Sequence, residues 1–195
     1  TGDLQLNALS VVDSSFGDDS HIGTLDLSGI HVGLDTAANG QLVFVPELLE
    51  RIIPASNDSV PESKQQETSF SIDQLVVNDT LIRDKDNQRN LLLINQVDLS
   101  GLSAKGDAVA LARLGVEDLK LLEPLSEDTV VADYYFSTPK IELTDIIKNA
   151  SLFSLKELVV ADPVTFVHRN VSGDLQALSE IERMIAGDGK SADNS

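Results

Sequence analysis

Residues 70–104, FSIDQLVVNDTLIRDKDNQRNLLLINQVDLSGLSA, decide the fold, because pieces of this stretch recur before and after it. Leu4, Leu6, Leu9, Val11 and Asp13 occupy the same relative places as Phe70, Ile72, Leu75, Val77 and Asp79, and as Phe153, Leu155, Leu158, Val160 and Asp162. A second phrase follows the first in two copies, Leu25-Asp26-Leu27-Ser28-Gly29-Ile30 against Val97-Asp98-Leu99-Ser100-Gly101-Leu102. Recurrence at fixed offsets marks a repeated structural unit, here a strand, a connector and a second strand.

Within these segments the apolar residues step by two and then by three, as in Phe70, Ile72, Leu75 and Val77, and the spacing continues through Val109, Leu111, Leu114, Val116, Leu119 and Leu121. A strand alternates its faces with a period of two, so a step of three implies a bulge that restores the facing or a strand that buries one face and then the other. The spacing predicts a bulge or kink at Asp73-Gln74 and its counterparts, with Ser100-Gly101 among them. An amphipathic helix is disfavoured by the β-branched runs and by Gly23, Gly29, Gly33 and Gly101 inside the segments.

Outside the repeat the signals are local. Asp84-Lys85-Asp86-Asn87 supplies turn residues that make 70–104 a hairpin. Pro46 and Pro54 bracket a short helix, PELLERIIP, and the polar stretch 54–69 reads as a connector. Val130 to Phe136 reads as a further strand, and Thr144 as the cap of a short helix containing Ile146 and Ile147. Ser172 or Asp174 is placed to cap a helix carrying Leu175, Leu178, Ile181 and Ile185 and ended by Gly187, with a frayed tail at 188–195. The expected organisation is a first strand unit with a short helix at 1–53, the linker 54–69, a second unit at 70–123, and a third unit with the C-terminal helix at 124–187. The fold class is mainly β with a few short helices (α+β), built as an extended, curved antiparallel sheet that grows by repetition.

Composition narrows the function classes. The chain has 195 residues with 42% apolar content, enough for a sizeable core or a long sheet, and only 4% aromatic content, so apolar surface must come from Leu, Ile and Val. Fourteen Lys and Arg stand against 32 Asp and Glu, and a net charge of −18 repels phosphate backbones, which excludes nucleic acid as a direct ligand. There is no Cys, hence no disulfide framework, thiolate metal site or cysteine nucleophile. Apolar runs such as Leu91-Leu92-Leu93-Ile94 fall far short of a membrane span, and a start at Thr1 without Met suggests a piece of a longer, processed protein.

Residues that could carry chemistry lack the context that chemistry needs. Ser137-Thr138-Pro139-Lys140 has the S-x-x-K spacing of penicillin-binding enzymes, but Pro139 and the missing S-D-N and K-T-G partners reduce it to a turn before a strand. Asp84-x-Asp86 opens like a calcium loop without the later Gly and Glu, which leaves a solvated hairpin turn. His21, His31 and His168 show no ligand spacing, and the many carboxylates single out no acid/base pair. Asn57, Asn78, Asn149 and Asn170 each open an N-x-S/T triplet, too frequent a pattern to be read alone. No enzyme, cofactor or metal is expected.

Residues 70–108 and the passage from Ser151 to Met184, with Val160, Pro163, Val164, Arg169, Gly173, Leu175 and Leu178 at its key positions, resemble the AsmA-like family of Gram-negative envelope proteins. The resemblance implies a periplasmic segment of a protein anchored in the inner membrane by a helix outside this chain. It also implies a long curved sheet whose apolar groove moves phospholipid or maintains outer-membrane integrity. The residues expected on that face are Leu25, Leu27, Phe70, Ile72, Leu75, Val77, Val97, Leu99, Phe153, Leu155, Leu158 and Val160. Repeated apolar strand faces serve equally to seal a core or to line a groove open to lipid chains. An acidic interaction scaffold in the manner of pentapeptide-repeat β-helices, without lipid, is the alternative reading.

Overall fold

The computed structural model describes residues 3–37, 41–43, 69–124, 133–169 and 173–186. Among these residues ten strands form one sheet: β1 (Asp3–Gln5), β2 (Ala8–Ser15), β3 (Asp19–Thr36), β4 (Leu42–Val43), β5 (Ser69–Asp84), β6 (Arg89–Lys105), β7 (Ala108–Leu121), β8 (Phe136–Lys148), β9 (Phe153–Ala161) and β10 (Val164–Thr165). One helix is present among the described residues, α1 (Gln176–Ala186). The sheet runs β1-β3-β5-β6-β7-β8-β10, with β2 and β4 also on β3 and β9 also on β8. Because β1 and β2 pair with β3 in one register, and β9 and β10 pair with β8 in one register, each couple acts as a single bent edge strand.

The chain is mainly β, and residues 70–104 form the hairpin read from their turn residues, with β5 antiparallel to β6 around the turn. One pair departs from the expected all-antiparallel order. β3 and β5 run parallel at a constant offset of 50 residues, from Asp19 opposite Ser69 to Leu34 opposite Asp84. Parallel neighbours need a crossover, and residues 37–68 are long enough to make one. Two other expectations change. Ile146 and Ile147 belong to β8, because Leu111 and Ala110 pair with them and a ladder on both sides overrides the helix signal of Thr144. The strand expected at 130–136 starts only at Phe136, residues 133–135 being outside any strand. The PELLERIIP helix, nearly all of the 54–69 connector and the 188–195 tail lie outside the described residues.

The steps of three have a common cause. Every long strand carries two positions, six residues apart, at which the ladders break off and then resume in the same register: 7 and 13, 23 and 29, 73 and 79, 95 and 101, 112 and 118, 139 and 145, 156 and 162. The second of each couple is left-handed: Asp13 (φ 54°), Gly29 (65°), Asp79 (57°), Gly101 (65°), Asp118 (51°), Asp145 (51°) and Asp162 (40°). These positions face each other from strand to strand. One line crosses the sheet through 13, 23, 73, 101, 112, 145 and 156, and the other through 7, 29, 79, 95, 118, 139 and 162. The sheet is therefore creased twice into three panels.

Of the bulge or kink expected at Asp73-Gln74, the structure has the kink, as this crease. A bulge sets two residues against one, whereas here every neighbouring strand bends at the matching place and the register survives. Asp73 and Gly101 are the same crease seen on adjacent strands, and the register shift between β5 and β6 lies elsewhere, at Ile82/Arg83. Left-handed φ costs most L residues about 1–2 kcal/mol, least for Gly and tolerably for Asp and Asn, which accounts for Asp and Gly at the second position of each couple. Gly101 has a further constraint, since a Cβ there would lie 2.8 Å from Ala112 Cβ. Pro139 is accommodated inside a strand paired on both sides because it stands on a crease, where no ladder bond is required of it.

Substituting Asp118 separates conformation from chemistry. Asp118→Val should lower unfolding free energy by about 1–2 kcal/mol relative to Asp118→Gly, read from urea midpoints, because only the β-branched residue strains at positive φ.

Candidate functional site

In the middle panel the in-register positions form two apolar rows across the sheet. One runs Leu25, Leu75, Leu99, Leu114, Leu143, Leu158, and the next Leu27, Val77, Val97, Val116, Ile141, Val160. Val11 and Leu9 of the edge strand extend them. In the first panel Ile22, Ile72, Leu102, Leu111, Ile146 and Leu155 make a third row, and Phe70, Ala104, Val109, Lys148 and Phe153 a fourth. Residues directly paired across strands point to the same side, as do residues two apart within a panel.

All twelve residues expected on the face fall in these four rows. Sequence matching missed most of the members from β6, β7 and β8. Leu111, Leu114 and Val116 share the two-three spacing that was its available signal, and Ile141, Leu143 and Ile146 share it too.

The opposite side of the middle panel is mainly polar, with Val12, Val76 and Val159 among its residues. Arg113 Nη1 donates to Asp98 Oδ1 at 3.1 Å and its Nη2 to Glu142 Oε2 at 3.3 Å, while Lys140 Nζ lies 2.5 Å from Glu142 Oε2. Lys140 and then Arg113 hold the Glu142 carboxyl below its ordinary value, and Glu142 in turn raises Arg113. These pairs are solvent-screened. The sheet thus has one apolar and one charged face in its middle panel, and among the described residues no second layer covers the apolar one.

Burial confirms how little is sealed. Among the described residues the buried apolar ones are Leu34, Ile72, Leu122 and Tyr135, whereas Leu9, Phe153 and Leu158 are more than half exposed at 58%, 68% and 56%. An apolar surface of this extent on one side of a sheet is uncommon in a protein that functions alone in water.

Helix α1 closes one end of the sheet. Between it, the segment 165–168 and the ends of β7 and β8 lies a cavity of about 310 Å³ lined by Leu121, Phe136, Tyr135, Phe166, Leu178 and Ile181 among others. Leu121 and Phe136 are themselves a register pair that continues through Leu92 to Ile82, so a third-panel row runs into this cavity. The helix begins at Gln176, with the Leu175 carbonyl accepting from Ser179 N at 3.0 Å, and Ser172 lies outside the described residues.

A buried polar clasp fixes the helix. Arg89 Nη1 donates to Glu180 Oε2 at 2.5 Å and to the Glu123 carbonyl at 3.2 Å, and the Tyr135 hydroxyl donates to Glu180 Oε1 at 3.1 Å. Arg89 Nε faces Asp84 Oδ2 at 3.6 Å, beyond hydrogen-bond length. Asp84 accepts from Asn87 N at 3.1 Å, Asn87 Nδ2 at 2.7 Å and Thr36 Oγ1 at 3.0 Å, tying the hairpin turn to the end of β3. Burial pushes the Asp84 carboxyl up, but the Asn87 and Thr36 hydrogen bonds and the Arg89 charge together hold it below the ordinary 3.8. Burial, with the neighbouring Glu180 carboxylate, drives the Tyr135 phenol far above its usual range. The Asp84-x-Asp86 motif is thus a turn device whose first carboxylate is used by the fold.

The other motifs do not converge. Ser137 and Lys140 lie along β8, with Thr138 bonding the carbonyls of Lys140 and Ala161. His21 contacts Ser71 and Asp73, and His31 contacts Asp79, at separate places on the sheet. Among the described residues no cluster of His, Asp and Glu has the form of a metal site, and no helix is long and apolar enough to cross a membrane.

Compared with protein-family models, with curated proteins and with solved structures, the chain finds no match in any of the three.

Truncating one member of the clasp tests its part in holding α1. Glu180→Leu leaves Arg89 buried with its nearest partner gone and should cost about 3–5 kcal/mol in urea unfolding. Asp84→Asn should show a pH-dependent loss. Asp84 is depressed in the folded state, so its contribution is complete above the unfolded value near 3.8 and disappears as pH falls through the lower folded value. Wild type and variant should therefore differ at pH 7 and converge in strong acid, as thermal melts across pH would show.

Proposed function

We propose that the chain is a periplasmic segment of an AsmA-like envelope protein, serving phospholipid transport or outer-membrane assembly and integrity without catalysis of its own. The observation that carries this reading is the set of register-matched apolar rows, Leu25 to Leu158 and Leu27 to Val160, with no covering layer among the described residues. Acyl chains gain about 0.8 kcal/mol for each methylene removed from water, so a surface of this kind offers a chain of ordinary length a favourable path. The rows run across the strands, so an acyl chain would lie along the length of the sheet. The charged face would stay in water. The family resemblance of residues 70–108 and 151–184 supports the same reading.

The test uses purified protein mixed with vesicles containing a fluorescent phospholipid. Wild type should extract lipid, and bound phospholipid should appear in native mass spectra. Leu114→Asp places a carboxylate in the centre of the middle panel and should reduce capture by about ten-fold, a change of about 1.4 kcal/mol. Protein that carries no phospholipid from an envelope preparation and takes none from vesicles would remove the lipid reading and leave the acidic interaction scaffold.

A further inference from the structure

The two outer strands of the sheet match each other. Among the described residues nothing pairs with the outer side of 3–15 or of 153–165. Both are bent at positions six apart, 7 and 13 in one and 156 and 162 in the other, with Asp13 and Asp162 left-handed at the second position. Both carry exposed apolar side chains: Leu9, Val11 and Phe16 on the first, Phe153, Leu158 and Val160 on the second. A long apolar edge is a template for another strand unless something covers it.

We propose that residues 153–165 of one copy pair antiparallel with residues 3–16 of a second copy, with Lys156 opposite Asp13 and Asp162 opposite Asn7, so that the creased sheet continues from molecule to molecule.

The creases choose the orientation. Wherever a crease contact between neighbouring strands includes an Asp, that Asp meets Gly, Asn, Ala, Pro or Lys and never another acid: 13 with 23, 73 with 23 and 101, 79 with 29 and 95, 118 with 95 and 139, 145 with 112 and 156, 162 with 139. Antiparallel docking obeys this rule and reuses two pairings already inside the molecule. Lys156 with Asp13 repeats the Lys156 and Asp145 contact of 2.9 Å, and Asp162 with Asn7 repeats Asp79 with Asn95. Parallel docking would instead set Asp162 against Asp13, two carboxylates side by side. The antiparallel register also lays Leu158 on Val11, Val160 on Leu9 and Phe153 on Phe16, which extends the apolar rows across the junction. The contact joins different surfaces of the two molecules, so it propagates as a chain of copies unless the rotation closes a ring.

The absence of Cys makes disulfide capture specific. Paired residues on antiparallel strands have Cα atoms about 4.5–5.5 Å apart, within reach of a disulfide. Full-length Val11→Cys protein mixed with full-length Leu158→Cys protein under mild oxidation should give a covalent dimer containing one of each. The yield should be about ten-fold above the Leu9→Cys and Leu158→Cys mixture, which reports the parallel register. Adding Asp13→Asn to the first partner should lower capture, and wild type should show mass increasing with concentration by light scattering. Circular dichroism of each variant identifies any that fails to fold, and Val160→Cys with Leu9→Cys reads the same junction through a second pair. Equal yields in both registers, a higher yield in the parallel one, or a monomer at every concentration without capture would overturn the proposal. Lipid-free protein supports the capture assay, so its outcome is separate from that of the lipid reading.

Discussion

A strand cannot bend sharply inside a sheet unless its neighbours bend at the same place. Here that requirement is met along two lines, and the rest of the architecture follows from it. Each long strand contributes two crease positions six residues apart, the second in left-handed conformation. Because every neighbour carries the matching position, no residue is left over at a crease and the ladders keep their register between the creases. The same arrangement serves antiparallel neighbours and the one parallel pair, since all strands have the same order of crease types along the chain. The five-residue apolar spacing is a by-product, arising from long bent strands in mainly antiparallel pairs. Stacked coils of a solenoid would instead set each repeat on the next in parallel.

The creases also change the meaning of the charge. Asp13, Asp79, Asp118, Asp145 and Asp162 occupy left-handed positions, where Asp is among the few side chains that fit. Asp84 is consumed by the hairpin turn and the helix clasp. Asp98 and Glu142 serve the ion pairs of the polar face. A substantial part of the net charge of −18 thus has a conformational or local electrostatic origin, and does not need a cationic partner to explain it. The apolar face, by contrast, has no local use in the described structure, which is why the functional reading rests on it.

How much of this was legible in the sequence depended on the range of the interaction involved. The hairpin at 70–104 was readable because Asp84 to Asn87 is local turn chemistry flanked by two strand patterns. The apolar face was readable from Phe70, Leu75 and their repeats, since spacing within a strand reports facing directly. The matching of Asp13, Asp79 and Asp162 was visible, but its cause was not, because backbone handedness at an Asp is set by the strands on either side. Thr144 misled for the same reason: a capping residue followed by Ile146 and Ile147 is locally helical, and only the pairing with Leu111 and Ala110 makes it strand. The buried Arg89 and Glu180 pair joins residues 91 apart, and no sequence spacing announces it.

The parallel pairing of β3 with β5 bears on the order in which the chain assembles. From β5 to β9 every strand pairs with the one made just before it, across two to four residues at the β5–β6, β6–β7 and β8–β9 connections and across residues 122–135 between β7 and β8, and such local contacts form early. β3 pairs locally with β2 across residues 16–18, but to join β5 it must find a partner 50 residues away and close a long loop. Docking of the β2–β3 pair onto β5 is therefore expected as a late, slower step. Pulse-labelled hydrogen exchange would register this as delayed protection of residues 19–34 relative to residues 89–121.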